Sequence, residues 1–478
     1  MQAPTSIPST SIHPLKPILE ADMCVGCGTC AGICPTDALT MEWGANGLRQ
    51  PHIEPPNAQT CQSCNTCSTT CPFADGLIAG IESPDEDELA RRFLVVPESK
   101  YDETIGSYLT LKAGHACELR HIGSSGAVAT WTLSTLLDKG LIDAALCVAE
   151  SGDKASSDAH FGYRVCTTKA EIIEAAKTRY YPVSLDQVIH HVLKHDGRFA
   201  LVGLPCFIKS IRLAQQTNPL LRERIVFMVG IFCGGLKTRY YTEFLAAHAG
   251  VDHTDFTHPE YRIKSPDSMA DDYFFKCRDK TDREHAIRMR TLGDMWGTGL
   301  FKPNVCDYCD DLSAELADIS IGDAWIAPYR ADGAGTSIVV TRSEQAKSLL
   351  DAGEAAGELD LDSIDADAVN FSQRGNINHR RKGLGYRLYL AIRHRRPTPR
   401  KRVQPNRPIN PLFALIQRQR IHLRKRSHAA WQVQRNTPGT KTFHRLIDRE
   451  LKRLERTTRL SHKLGEFIRN VKGVVSRR

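Results

Sequence analysis

Twelve of the sixteen cysteines fall into patterns that suit metal–sulfur chemistry. Cys24-Val-Gly-Cys27-Gly-Thr-Cys30-Ala-Gly-Ile-Cys34-Pro35 is followed by Cys61-Gln-Ser-Cys64-Asn-Thr-Cys67-Ser-Thr-Thr-Cys71-Pro72, so the run CxxCxxCxxxCP occurs twice. In this spacing three cysteines of each run hold one 4Fe–4S cubane and the fourth reaches across to the other. Cys24, Cys27, Cys30 and Cys71 are thus expected on one cluster, and Cys61, Cys64, Cys67 and Cys34 on the second. The proline behind each fourth cysteine has no N–H to extend a helix and turns the chain away. A structural zinc usually closes on two separated CxxC pairs, which this spacing does not offer. Disulfides suit secreted domains, and nothing in the sequence points to secretion.

The remaining patterned cysteines are Cys206 in Gly203-Leu204-Pro205-Cys206, Cys233 in Phe232-Cys233-Gly234-Gly235, and the pair Cys306-Asp-Tyr-Cys309. The first two each follow a short apolar run, Arg198–Gly203 and Ile225–Gly230, that reads as a strand. Strand ends in an open α/β sheet gather ligands on one edge. The four could hold a third cluster or a zinc ion, and spacing leaves both open. Single cysteines behind strands also occur as small core residues.

These residues need elements to position them. Residues 1–20 are rich in Pro and Ser and are expected to be a flexible lead rather than a signal peptide. Residues 21–81 make an α+β, ferredoxin-like two-cluster domain, and the charged stretch 82–104 is expected to be a linker. From 105 to 370, apolar runs (Leu141–Ala149, Arg198–Gly203, Ile225–Gly230, Asp318–Gly322, Ser337–Arg342) alternate with helical stretches such as Glu344–Ala356, which predicts an α/β domain. No strand–GxGxxG–helix entry of the dinucleotide type is present. Ser124-Ser125-Gly126-Ala127 precedes a helical run; such small residues either admit a phosphate to the helix N-terminus or simply cap the helix.

Charge is divided sharply along the chain. Of 63 Lys+Arg, 30 lie in residues 371–478, against 4 of the 55 Asp+Glu, so this tail carries +26 and residues 1–370 carry −18. Phe443, Ile447, Leu451 and Leu454, continued by Leu460, Leu464, Phe467 and Ile468, recur at helical spacing among Arg and Lys. That pattern predicts a basic amphipathic helical tail suited to an anionic membrane surface or an acidic partner, with docking on the protein's own acidic body as the other reading. Nucleic acid is disfavoured as a partner. The expected location is the cytoplasm, with the tail able to hold the protein at the inner face of a membrane.

Taken in order, the motifs of residues 20 to about 345 resemble the family of coenzyme F420 hydrogenase/dehydrogenase beta subunits. The carriers are the cysteine runs, Ile105-Gly106-Ser107-Tyr108, Ser124–Ala127 in place of a Ser-Gly-Gly turn, Ala176–Pro182, Gly203–Cys206, Phe232–Gly234, Tyr261-Arg262 with Lys264, Cys306–Cys309, Asp318–Trp325 and Gly335–Ser337. The resemblance implies an α/β domain binding both flavin and cluster: a third 4Fe–4S cluster on Cys206, Cys233, Cys306 and Cys309, and FAD against Ser124, Ser125, Gly126 and Thr130 with Thr178, Arg179 and Tyr180 nearby. It also implies an oxidoreductase that moves electrons between a ferredoxin-type protein donor, or other oxidoreductase subunits, and an organic acceptor such as coenzyme F420. An electron-transfer component of a larger complex without its own substrate, or an assembly module without flavin, is the alternative. Ala127 and Lys177 stand where the family has glycine, a departure that bears on the flavin contact.

Overall fold

The computed structural model describes residues 14–53, 61, 64–151, 159–408 and 410–475, with side chains through Glu466. The short apolar runs form an eight-stranded mixed sheet in the order Leu359–Ser363, Thr110–Ala116, Ser337–Thr341, Ile319–Asp323, Ile225–Ile231, Phe199–Gly203, Ala144–Glu150, Phe161–Cys166. The four strands beginning at Ala144, Phe199, Ile225 and Ile319 run parallel; the others pair antiparallel. Parallel strands are buried on both faces, which is why these runs are continuously apolar. Alternate residues serve opposite sides: Phe227 and Val229 pack with Val128, Trp131 and Leu136 on one, Met228 and Leu201 with Phe207, Ile208 and Ile189 on the other.

The cysteine-rich unit is built on a hairpin of Leu39–Trp43 and Arg49–Ile53, with short helical turns at Thr29–Gly32 and Thr66–Thr69. Leu15 and Ile18 are buried in its core, so the lead is structured from residue 14 onward; residues 1–13 lie outside the described residues. The unit sits directly on the sheet's helices. Leu185 N donates to Cys27 O at 2.8 Å, and the hydroxyls of Thr29 and Ser210 are 2.7 Å apart. At Gly28, whose φ is +78°, a Cβ would come within 2.8 Å of the Ser184 Cβ, so only glycine lets the two units close.

The stretch expected as a linker is ordered instead. Asp85 caps the helix Glu86–Phe93 by accepting from Glu88 N, and Glu86 is buried against Lys209 Nζ at 2.9 Å. Residues 82–104 thus include a packed helix; charge at its start reflects capping and a buried ion pair, which resemble linker composition in sequence.

The basic tail is helical, in Leu384–Arg393, Pro411–Gln434 and Lys441–Val475, the last two forming an antiparallel pair. Much of the apolar face assigned to a lipid surface is occupied by the protein itself. Phe443, Ile447 and Leu454 are buried with Phe244, Phe301 and Trp431, and the Phe301 and Phe443 rings stack at 5.5 Å. Trp431 Nε1 donates to Glu243 Oε2 at 2.8 Å. Leu460 and Leu464 are exposed, and Phe467 and Ile468 lie outside the described side chains. Among the described residues no helix is long and apolar enough to cross a membrane.

Between the tail helices, the Lys401–Arg402 segment threads into the body. Arg402 donates to both oxygens of Glu315, at 2.9 and 2.8 Å, and its Nε lies 3.4 Å from Glu86. Removing one partner of a buried pair leaves an uncompensated charge, costing about 3–5 kcal/mol. Arg402→Met is therefore expected to lower stability by about that much, read as a lower denaturant midpoint; an unchanged midpoint would show that the pair is not a structural lock.

Candidate iron–sulfur and flavin site

Local chain geometry sets the first thiols. Gly26 and Gly28, both at φ +78°, curl the backbone, and Cys24, Cys27 and Cys30 line one small cavity together with Cys71. Burial pushes the Cys24 thiol up to about 12, with Cys27 adding to the shift. Burial likewise raises Cys30, whose charged neighbours are Cys27, Cys24, Cys71 and Cys67. Cys71 is raised by burial and faces Cys27 and Cys24. The fourth cysteine of the second run therefore sits with the first three, the exchange expected from the spacing. In the other set, burial lifts Cys67 to about 11, and its thiol neighbours are Cys61, Cys64 and Cys34.

Cys206, Cys233, Cys306 and Cys309 also come together. Burial raises Cys206 well above its usual range, with Cys309, Cys233, Cys306 and Cys27 around it. Burial takes Cys306 to about 12 and Cys309 to about 11. Leu236 N donates to Cys306 Sγ at 3.4 Å. Cys27 of the first set and Cys206 of this one pack against the same two hydrophobic clusters, so the two sets lie near one another. Among the described residues, no three His, Cys, Asp or Glu side chains are drawn closely enough around one point to hold a single metal ion. A cubane is larger than one ion and holds its thiolates farther apart. The first and third sets lie buried where unpartnered thiolates are costly, so a multiply charged iron core suits them.

A cavity of about 240 Å³ opens at the ends of the parallel strands. Ser124, Ser125 and Thr130 line it from the turn and helix start, Thr178 and Arg179 from the facing loop, and Leu204, Phe207 and Phe232 from the segments carrying Cys206 and Cys233. The two loops are tied by Thr178 N donating to Ser124 Oγ at 2.8 Å. Two expected residues stand apart from this lining. Gly126 is tucked behind it, donating to Ser337 Oγ at 3.1 Å; a Cβ there would run into the Gly114 carbonyl oxygen. Tyr180 instead lines a second cavity, of about 840 Å³.

The second cavity contains Trp296, Tyr273, Arg290, Trp325, His379 and Arg420 among its walls; none was expected as a site residue, and of these only Trp325 falls in a motif that carries the family resemblance. Their signal is tertiary, since they come from separate segments of the chain. A third cavity, about 380 Å³, is basic, with Arg120, His121, Lys177 and Lys264. Lys264 Nζ donates to Ser125 O at 2.6 Å, and burial pulls its pKa down to about 8. Arg262 lines all three cavities and is paired bidentately with Asp323, at 2.7 and 2.8 Å.

Thiol sets leading to a largely apolar cavity at the strand ends of an α/β sheet suit an iron–sulfur electron-transfer protein. Residues 23–74 match the 4Fe-4S dicluster domain, residues 112–190 the N-terminal part of the coenzyme F420 hydrogenase/dehydrogenase beta subunit, and residues 196–367 its C-terminal part. The chain belongs to the family of coenzyme F420 hydrogenase/dehydrogenase beta subunits. It is 25% identical over 64% of its length to a subunit of the F420H2 dehydrogenase of Methanosarcina mazei, covering 79% of that protein. It is 22% identical to the coenzyme F420-dependent sulfite reductase of Methanocaldococcus jannaschii over 73% of this chain and 49% of that one. The beta subunit of the coenzyme F420 hydrogenase of Methanothermobacter thermautotrophicus is 24% identical over 55% of this chain and 86% of that one. A chain of the xenon-derivatised F420-reducing NiFe hydrogenase complex from Methanosarcina barkeri aligns with 63% of this chain and 99% of its own length, at 19% identity and a TM-score of 0.47.

Both departures from glycine sit in left-handed backbone, Ala127 at φ +59° and Lys177 at φ +99°. A side chain there costs about 1–2 kcal/mol. Lys177 gains in return a half-exposed pair with Glu260 at 3.1 Å, worth less than about 1 kcal/mol. Lys177→Gly is therefore expected to stabilise by about 0.5–1 kcal/mol. Ala127→Gly is expected to be near neutral, because its buried methyl contributes about 0.8 kcal/mol that the glycine gives up. Denaturation midpoints of the two variants check this, and destabilisation by Lys177→Gly would contradict it.

Proposed function

We propose that this chain is an iron–sulfur flavoprotein oxidoreductase that carries electrons between a protein redox partner and a small organic acceptor. Cys24, Cys27, Cys30 and Cys71 would hold one 4Fe–4S cluster, Cys61, Cys64, Cys67 and Cys34 the second, and Cys206, Cys233, Cys306 and Cys309 a third. FAD would occupy the cavity lined by Ser124, Ser125, Thr130, Thr178 and Arg179. The observation that carries this reading is contiguity: Cys27 and Cys206 pack against the same hydrophobic clusters, and Leu204, Phe207 and Phe232, next to Cys206 and Cys233 in sequence, line the cavity.

When bound, cubanes supply single electrons and the flavin converts them into a hydride equivalent. The chain's own residues hold and orient. The Ser124 and Ser125 turn, tied to Thr178, forms one wall, and the adjacent basic cavity around Arg120 and Lys264 suits a phosphate-bearing part of the cofactor. Apolar Leu204, Phe207 and Phe232 exclude water between the third thiol set and the cavity. The larger cavity, reached past the Arg262–Asp323 pair, is proposed to receive the acceptor; its aromatic and arginine walls suit a planar anionic molecule, coenzyme F420 or another of that kind. Two of the matched relatives are named as subunits, which favours action within a larger assembly.

Anaerobic purification with iron, sulfide and flavin determination tests the whole reading, with three cubanes and one FAD per chain expected. Cys306→Ser combined with Cys309→Ser is expected to remove one cubane's iron and leave the other two. Two cubanes and no flavin in the wild-type protein would overturn the proposal. Reduction of a deazaflavin by the isolated chain with a ferredoxin donor distinguishes an enzyme from an electron-transfer subunit.

A further inference from the structure

The family match ends at residue 367, yet the chain beyond it returns to the Cys206–Cys233–Cys306–Cys309 set. Arg380 lies in a single wide helical turn, His379–Gly383, and its side chain points inward, with 2% of the residue exposed. Its Nε donates to Asp311 O at 3.1 Å and one terminal nitrogen donates to Cys233 O. The other terminal nitrogen, Nη1, is buried and has no hydrogen-bond partner among the described residues. The negative groups facing this guanidinium are Cys309, Cys233, Cys306 and Asp311.

A second cation arrives from a separate segment. Lys401 has a side chain 4% exposed, lies 3.2 Å from Asp310, and also faces Cys309. It packs over the Phe73 ring at 4.9 Å, two residues beyond Cys71 of the first thiol set. Arg400 N donates to Asp75 O at 2.8 Å, fixing this strap to the cysteine-rich unit. A buried guanidinium nitrogen without an acceptor, beside three of the four thiols, is a donor awaiting a sulfur that the protein atoms alone do not supply.

We propose that Arg380 and Lys401 form the outer shell of the third cluster, Arg380 Nη1 donating to a cluster sulfide or cysteinate sulfur and Lys401 supplying a nearby positive charge. This rests on the third cluster being bound by those four cysteines. Reduction of a cubane adds one negative charge to the cluster, and no bond need form or break. Hydrogen bonds to sulfur and nearby cations favour that reduced state, so the extension sets the potential at which this cluster accepts an electron. The two clusters of the N-terminal unit keep their own potentials.

Potentiometric titration of the anaerobic full-length protein, followed by electron paramagnetic resonance, tests this with Arg380→Met, Arg380→Lys and Lys401→Met. At a fixed potential the reduced-to-oxidised ratio of the third cluster is expected to fall at least tenfold in Arg380→Met, equivalent to about 59 mV for a one-electron couple. Lys401→Met is expected to move it in the same direction and Arg380→Lys to recover part of the shift, with the other clusters unmoved. Equal ratios in wild type, Arg380→Met and Lys401→Met would overturn the shell. So would a uniform shift of all clusters, which marks a general change in structure. If Arg380→Met loses the third cluster, Arg380→Lys and Lys401→Met decide the matter by the same ratio. Wild-type iron amounting to two cubanes would instead overturn the ligand assignment beneath it.

Discussion

The architecture depends on the neutralisation of a buried acidic segment by cations that come from far along the chain. Asp307, between Cys306 and Cys309, lies 2.6 Å from Lys302 Nζ and accepts from Arg424 Nε at 2.9 Å, while its carbonyl accepts from Arg387 at 2.7 Å. Asp310 pairs with Lys401, and Glu315 with Arg402. Each of these acids is almost fully buried, and a buried carboxylate is tolerated only when paired and hydrogen-bonded. Body and extension therefore form one electrostatic unit, and the opposed charges of +26 and −18 read from the sequence meet inside the protein.

That constraint reaches the third thiol set because the acids flank two of its cysteines. The strap that neutralises Asp310 also rests on Phe73, beside the last cysteine of the N-terminal runs. One stretch of chain thus spans the thiol sets whose mutual distance governs any electron transfer. Arg262 and Asp323 play a corresponding part on the other side, joining three cavities through a single bidentate pair. The extension enters there too, since His379 and Arg420 line the largest of these three cavities.

Much of the frame was legible in the sequence because its signals are local. The five apolar runs became strands of one sheet, since a short continuous β-type run can be satisfied only where both faces are covered. The turn at Ser124 and the loop at Thr178 line one cavity, a pairing that the family resemblance implied and the local residue pattern left open. Tyr180 and Gly126 fell outside that lining because side-chain direction depends on how two loops meet. The helix Glu86–Phe93 was hidden by its own charges, whose buried partner Lys209 lies more than a hundred residues away.

The sequence by itself marked Cys24–Cys71 as two-cluster iron–sulfur spacing, because that pattern acts over a few residues, and for Cys206, Cys233, Cys306 and Cys309 it left cluster and zinc open. It also determined the sheet's strands and the helical character of the tail, through periodicity. Only the tertiary structure decided that Cys206 lies near Cys27, that the amphipathic tail turns its aromatic face onto Phe244 and Phe301, and that Arg380 reaches the third thiol set. Those outcomes depend on packing and charge compensation between segments far apart in the chain. A basic amphipathic helix has the same pattern whether its apolar side meets lipid or protein, and the buried acids of residues 307–315 drew the cations inward.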